Sequence, residues 1–193
     1  MSNSTSDKST NTPDSNEPLT LEPMEVAPAP KAETSLFVHM FKWLSLSIVI
    51  VAADLITKYF AATNLEYAVP VPIMPSFNLT LLHNTGAAFS FLATESGWQR
   101  WFFVILASVV SLGLVKWLTS LRKEPMVALA VALILGGAVG NLYDRITLGY
   151  VVDFLHFYWN DYHFPAFNIA DSAITIGAGL MILDIFKGKK EEV

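Results

Sequence analysis

Residues 36–62 read LFVHMFKWLSLSIVIVAADLITKYFAA. This run is longer than the ~20 apolar residues a helix needs to cross ~30 Å of hydrocarbon, so it is expected to span a membrane. Two charges interrupt it. Asp54 and Lys58 lie four residues apart, on one helical face where they can pair. Ionisable groups inside a span are costly and are functional candidates by default. The competing explanation is an internal ion pair that only holds the helix in register.

Three more apolar stretches follow, at about residues 98–121, 126–143 (MVALAVALILGGAVGNLY) and 169–186. The chain of 193 residues is 53% hydrophobic and only 15% charged, which excludes an ordinary soluble domain and indicates a polytopic membrane protein. Residues 1–35 carry six acids and two lysines, a net charge of −4, and leave the remainder nearly neutral at −1. That segment is rich in Ser, Thr, Asn, Pro and acids, so it is expected to be a disordered tail. It lacks the basic start and early apolar run of a signal peptide. Residues 36–187 form the expected membrane domain, with 188–193 as a short C-terminal tail. No basic patch suggests nucleic acid. The absence of cysteine excludes disulfides and thiol nucleophiles.

Lys and Arg near the helix ends set the expected orientation. Lys42, Lys116, Arg122, Lys123, Lys187, Lys189 and Lys190 fall on one side, which places both termini in the cytoplasm. The outer loops are then about residues 63–97 and 144–168. Residues 69–92 carry prolines followed by β-branched and aromatic residues, as a small strand-rich element would. Residues 154–167 hold seven Phe, Tyr or Trp, a density that suits an interfacial helix or aromatic belt.

The polar residues gather at the outer side. Gly137, Asn141 and Arg145 recur every fourth residue and line one stripe. Asp171 opens the last helix and Asp153 stands in GYVVDFLHF. Each has a plainer explanation: close packing for the glycines, interfacial anchoring for Arg145, and an ordinary helix start for Asn168 followed three residues later by Asp171. Two carboxyls brought together in apolar surroundings are different. They repel, so one keeps its proton near neutral pH, and the pair can activate water with one member and protonate with the other. The helix N-terminus favours an ionised Asp171, leaving Asp153 to carry the proton. Asp153, His156, Asp161 and His163 lack a recognisable metal-ligand spacing, so no metal or cofactor is expected. No Gly-x-Ser-x-Gly or Ser–Lys context appears.

In order along the chain, DLITK (54–58), HNTGAAFSF (83–91), GGAVGNLYDR (136–145), GYVVDF (149–154) and FNIADS (167–172) resemble the motifs of the lipoprotein signal peptidase (signal peptidase II) family. The resemblance covers residues 36–187. It implies an all-α polytopic membrane protein of four transmembrane helices, with a small extracytoplasmic β-cradle at about residues 68–92 and an interfacial helix within 150–164. It also implies an aspartic endopeptidase of the bacterial inner membrane, cutting prolipoproteins before a diacylglyceryl-modified cysteine near the outer face. Asp153 and Asp171 match the family's catalytic pair. Asn84, Gly86, Asn141, Arg145, Asn168 and Ala170 match supporting positions, and Asp54 and Lys58 match the helix-one motif. The partners would be lipidated prolipoproteins and membrane lipid, with a monomer as the working unit. Two rivals are a proton- or cation-coupled transporter using Asp54, Asp153 and Asp171, and a non-enzymatic scaffold. No internal repeat supports the transporter, and a scaffold does not explain converging acids.

Overall fold

The computed structural model describes residues 35–86 and 97–188. Residues 1–34 (all of the expected tail but Ser35), 87–96 and 189–193 lie outside them. Among the described residues, four helices are long and apolar enough to cross a membrane: α1 (Leu36–Asn64), α2 (Trp98–Leu118), α3 (Pro125–Thr147) and α4 (Ile169–Gly188). The strands are β1 (Val71–Met74), β2 (Phe77–Asn84), β3 (Val151–Trp159) and β4 (Tyr162–His163). At ~1.5 Å per residue every helix reaches about the ~30 Å of hydrocarbon, and α1 exceeds it.

Helix α3 is the centre, packed against α1, α2 and α4. Its sequence explains why. Ala128, Ala130, Val131 and Ala132 are fully buried, and their small side chains let neighbouring backbones approach. Gly137 faces the carbonyl of Ala170 in α4, and a β-carbon there would collide with it. Large apolar residues lie instead on the outer faces of α1, α2 and α4, where Phe37, Ile48, Ile105, Leu112 and Ile185 are exposed. In water these would be a liability; in hydrocarbon they are the solvent-facing surface.

Within the bundle, two buried polar side chains join neighbouring helices. Ser47 donates to the Ala132 carbonyl at 2.8 Å, joining α1 to α3. The His39 ring nitrogen Nε2 sits 2.9 Å from the Leu118 carbonyl at the C-terminal end of α2, where helix carbonyls lack intrahelical donors. Trp43, Leu118, Leu121 and Val127 form an apolar cluster at this end.

The four strands form one antiparallel sheet in the order β1-β2-β3-β4. Strands β1 and β2 fall inside the expected cradle. The interfacial helix expected within residues 150–164 is not what the chain forms: that stretch is β3 and β4. The sequence VVDFLHFYW consists largely of β-branched and aromatic residues, which pack well on a pleated surface. Val151 and Val152 pair with Asn84 and His83 of β2, far upstream. Asn160, in the turn between Trp159 and Tyr162, takes φ +49°, a conformation asparagine adopts more readily than most residues. Aromatic density alone does not separate a strand from an interfacial helix.

The β2–β3 pairing decides where the polar groups go. Leu82 lies opposite Asp153 and Asn84 opposite Val151, so Asn84 and Asp153 are diagonal neighbours on one face of the sheet. A register shift between Leu79 and Leu82 separates this end from the aromatic end, where Phe77 meets Phe157.

Candidate active site

At the C-terminal end of α3, five segments (α1, β2, α3, β3 and the start of α4) deliver polar side chains to one network. Asp153 of β3 is 3% exposed and both of its oxygens are occupied. Oδ2 accepts from Asn84 Nδ2 at 3.0 Å, and Oδ1 accepts from Asn168 Nδ2 at 2.8 Å. Burial and, after it, the negative charge of Asp171 push the Asp153 carboxyl up to about 7; the two asparagines and Lys58 act in the opposite direction. Asp153 is therefore poised to hold a proton near neutral pH.

Asp171 stands in the first turn of α4. Its Oδ1 accepts from Asn141 Nδ2 at 2.7 Å. Its backbone N–H donates to Asn168 Oδ1 at 2.9 Å, so Asn168 is the helix cap expected from NIAD. The same asparagine faces Asp153 with its amide nitrogen. One side chain thus closes the helix and spaces the two carboxylates.

Asn141 is in turn fixed from behind. Its Oδ1 accepts from Lys58 Nζ at 2.9 Å, which points the amide nitrogen at Asp171. Lys58 also meets Asp54 at 2.7 Å and Asp144 at 3.0 Å. Asp54 Oδ1 accepts from the Ala170 N–H at 2.9 Å, and Asp144 Oδ2 accepts from the Val152 N–H at 3.0 Å. The expected pair is therefore a triad that ties α1 and α3 to the starts of α4 and β3. Gly140 leaves room for it, since a β-carbon there would lie 2.6 Å from Asp54 Oδ2.

The remaining expected residues surround this centre. Arg145 Nη1 donates to the Asn141 carbonyl at 3.3 Å, and the charges bearing on its guanidinium are those of Asp171, Asp153 and Asp144. The Gly86 N–H donates to Asn84 Oδ1 at 2.8 Å, which turns the Asn84 nitrogen toward Asp153. Gly137 and Ala170 set the α3–α4 contact rather than reach the carboxylates. His156 and His163 bond to each other at 3.1 Å on the β3–β4 hairpin. Among the described residues no group of three His, Asp or Glu side chains is placed to hold a metal ion.

Sequence reasoning missed Asp144 and Arg100 as members of this region. Asp144 follows Asn141 by three residues, one helical turn on the same face, but NLYDR also reads as a plain helix end. Arg100 donates from Nε and Nη2 to the Arg145 and Ile146 carbonyls at 2.8 and 2.7 Å, closing the end of α3. No local signal links α2 to those carbonyls.

Comparison with known proteins identifies the family. A family model described as signal peptidase (SPase) II matches residues 46–187. A lipoprotein signal peptidase of Acinetobacter baumannii is 54% identical over 84% of this chain and 93% of its own length. One of Pseudomonas aeruginosa is 52% identical over 77% of this chain and 89% of its own. A solved bacterial membrane enzyme superposes with a TM-score of 0.69 at 32% identity, covering 76% of this chain and 94% of that one. By sequence and fold, this multi-pass membrane protein is a peptidase and belongs to the signal peptidase II family.

Proposed function

We propose that the chain is an aspartic endopeptidase that removes the signal peptide of diacylglyceryl-modified prolipoproteins by cutting before the lipidated cysteine, with Asp153 and Asp171 as the catalytic pair. The observation that carries this is the asymmetry of the two carboxyls. Asp153 is enclosed, raised to about 7 and held by two amides, whereas Asp171 stands half-buried in the first turn of α4 and accepts from the single amide of Asn141. Environments that set two acids apart assign them different roles.

Asp171, ionised, takes a proton from water as its oxygen bonds to the scissile carbonyl carbon. Asp153 gives its proton to the carbonyl oxygen. Collapse of the tetrahedral intermediate breaks the C–N bond; Asp171 passes its proton to the leaving nitrogen and Asp153 recovers one from the intermediate. Asn84, Asn141 and Asn168 keep both carboxylates aimed, and Arg145 orients a substrate carbonyl. The residues serving this chemistry lie at one end of the bundle. The Lys and Arg pattern makes that the outer end, with both termini in the cytoplasm of a bacterial inner membrane. Residues 36–187 are the peptidase unit, acting as a monomer.

The pH dependence has a definite sign. Below about 7 Asp153 is protonated, and above it the pair loses that proton. Turnover is expected to fall tenfold per pH unit on the alkaline side of about 7, with the protein still folded. Initial rates from pH 6 to 9 check this, and a flat profile through pH 8.5 refutes the assignment of Asp153 as acid.

The function itself is tested with purified protein in detergent micelles. A diacylglyceryl-modified prolipoprotein should be cut, as seen by gel shift, and the same precursor without lipid should not. A transporter or scaffold leaves both intact.

A further inference from the structure

Phe103, on the second turn of α2, belongs to none of the motifs that carry the family resemblance, yet it touches both halves of the candidate site. Its ring lies beneath the Arg145 guanidinium, 5.1 Å from centroid to Cζ. Its edge backs Gly86 so closely that a β-carbon on that glycine would land 2.5 Å from ring carbon Cε2. Gly86 takes φ +95°, and its N–H is the donor that fixes Asn84 toward Asp153. Phe102 braces the ring edge-on at 5.3 Å, and Arg100 on the same helix anchors α2 to the end of α3 through two carbonyls. Helix α2 therefore arrives at the site as a fixed element, with one aromatic ring between the cation and the turn that positions the buried acid.

We propose that Phe103 is a positioning residue for peptide cleavage: its ring holds the Arg145 guanidinium over the carboxylate pair and buttresses the Gly86 turn that aims Asn84 at Asp153. The proposal rests on Asp153 and Asp171 being the reacting pair. A ring face attracts a guanidinium electrostatically and offers it a flat surface to stack on, which an aliphatic side chain does not. Arg145 otherwise has four rotatable side-chain torsions and, among the described residues, one long 3.3 Å hydrogen bond to its own helix beside the unanchored pull of the nearby carboxylates. A ring at this place keeps the guanidinium from swinging into bulk water or pairing directly with Asp171. Because Phe103 offers no polar atom, its effect reaches the substrate only through Arg145 and Asn84.

The test is a substitution series with steady-state kinetics on a lipidated prolipoprotein substrate in detergent micelles. Phe103→Leu keeps an apolar side chain and removes the ring face; it is expected to lower kcat about tenfold, the order of a partly desolvated cation–π contact. KM should stay within about twofold and the melting temperature should be unchanged. Phe103→Tyr and Phe103→Trp should recover most of the rate. In an Arg145→Lys background, Phe103→Leu should cost less than about threefold more, because the planar stacking partner is already gone. Equal losses in both backgrounds, or a Leu variant as fast as the Tyr variant, overturn the proposal. If Arg145→Lys leaves no measurable rate, the Leu, Tyr and Trp comparison decides alone. Asp171→Asn run in parallel separates the two claims. If that variant is active, the catalytic pair is wrong; if it is inactive while Phe103→Leu turns over normally, only the positioning role is wrong.

Discussion

Asp171→Asn is expected to reduce turnover of a lipidated prolipoprotein by at least ~10³-fold, the scale of a lost general base, with substrate affinity and melting temperature close to those of the parent. The geometry makes this a clean substitution. Asp171 Oδ1 accepts from Asn141 Nδ2, and an asparagine at 171 can present its own oxygen to the same donor. The backbone N–H that Asn168 caps is unaffected. What disappears is a basic oxygen able to take a proton from water. Single-turnover kinetics in micelles measure the chemical step separately from binding. A rate within tenfold of the parent refutes the pair.

Asp153→Asn should be as inactive, but for a mixture of reasons. Both Asp153 oxygens accept from amide nitrogens, so an asparagine there turns an NH2 group toward Asn84 or Asn168. Asn84 relieves that conflict only by flipping, which breaks its bond to Gly86. Linkage gives a second, independent readout. The folded protein binds the Asp153 proton more tightly than the unfolded chain does, about 7 against an ordinary carboxyl near 3.8. Stability from this site is therefore fully present below about pH 4 and is lost as pH rises to about 7. The asparagine variant lacks that slope, so its melting temperature relative to the parent should improve between pH 5 and 8.

What the sequence disclosed follows from the range of the interaction that encodes it. Spans are local and long, and 36–62, 126–143 and 169–186 agree with α1, α3 and α4 to within a few residues. Asp54 with Lys58 and Asn168 with Asp171 are likewise local, at helical offsets of four and three, and both form the contacts those offsets allow. The segment between α3 and α4 is misjudged because a strand is defined by its partner. Val151–Trp159 pairs with residues 67 and more positions upstream, across two membrane spans. Asp144 was overlooked for a related reason: its partners Lys58 and the Val152 N–H come from another helix and from a strand. Phe103 had no chemistry to announce it, and only the packing of α2 against Gly86 and Arg145 brings it into view.

Lys58→Met is expected to be the most destabilising single change in the bundle, by about 3–5 kcal/mol, the usual cost of breaking a buried ion network by removing one partner. Lys58 is 3% exposed, Asp54 0% and Asp144 3%, so water cannot replace the lost cation. An ammonium has three donors, and here it meets three acceptors: Asp54 at 2.7 Å, Asp144 at 3.0 Å and Asn141 at 2.9 Å. Without it two carboxylates face one another in an apolar bundle, leaning only on the Ala170 and Val152 N–H groups. The comparison that isolates the cause is the triple change Asp54→Asn, Lys58→Met, Asp144→Asn, which keeps acceptors for both backbone donors and removes the buried charge. It should melt well above Lys58→Met in detergent. It should still turn over more slowly than the parent, because Asn141 Oδ1 has lost its strong donor and keeps only Asn168 Nδ2 at 3.3 Å, so the amide is free to turn away from Asp171. A Lys58→Met protein that melts with the parent would mean that the helices hold their register by apolar packing alone. A triple variant that recovers full activity with its stability would mean that Asn141 needs nothing behind it to aim at Asp171.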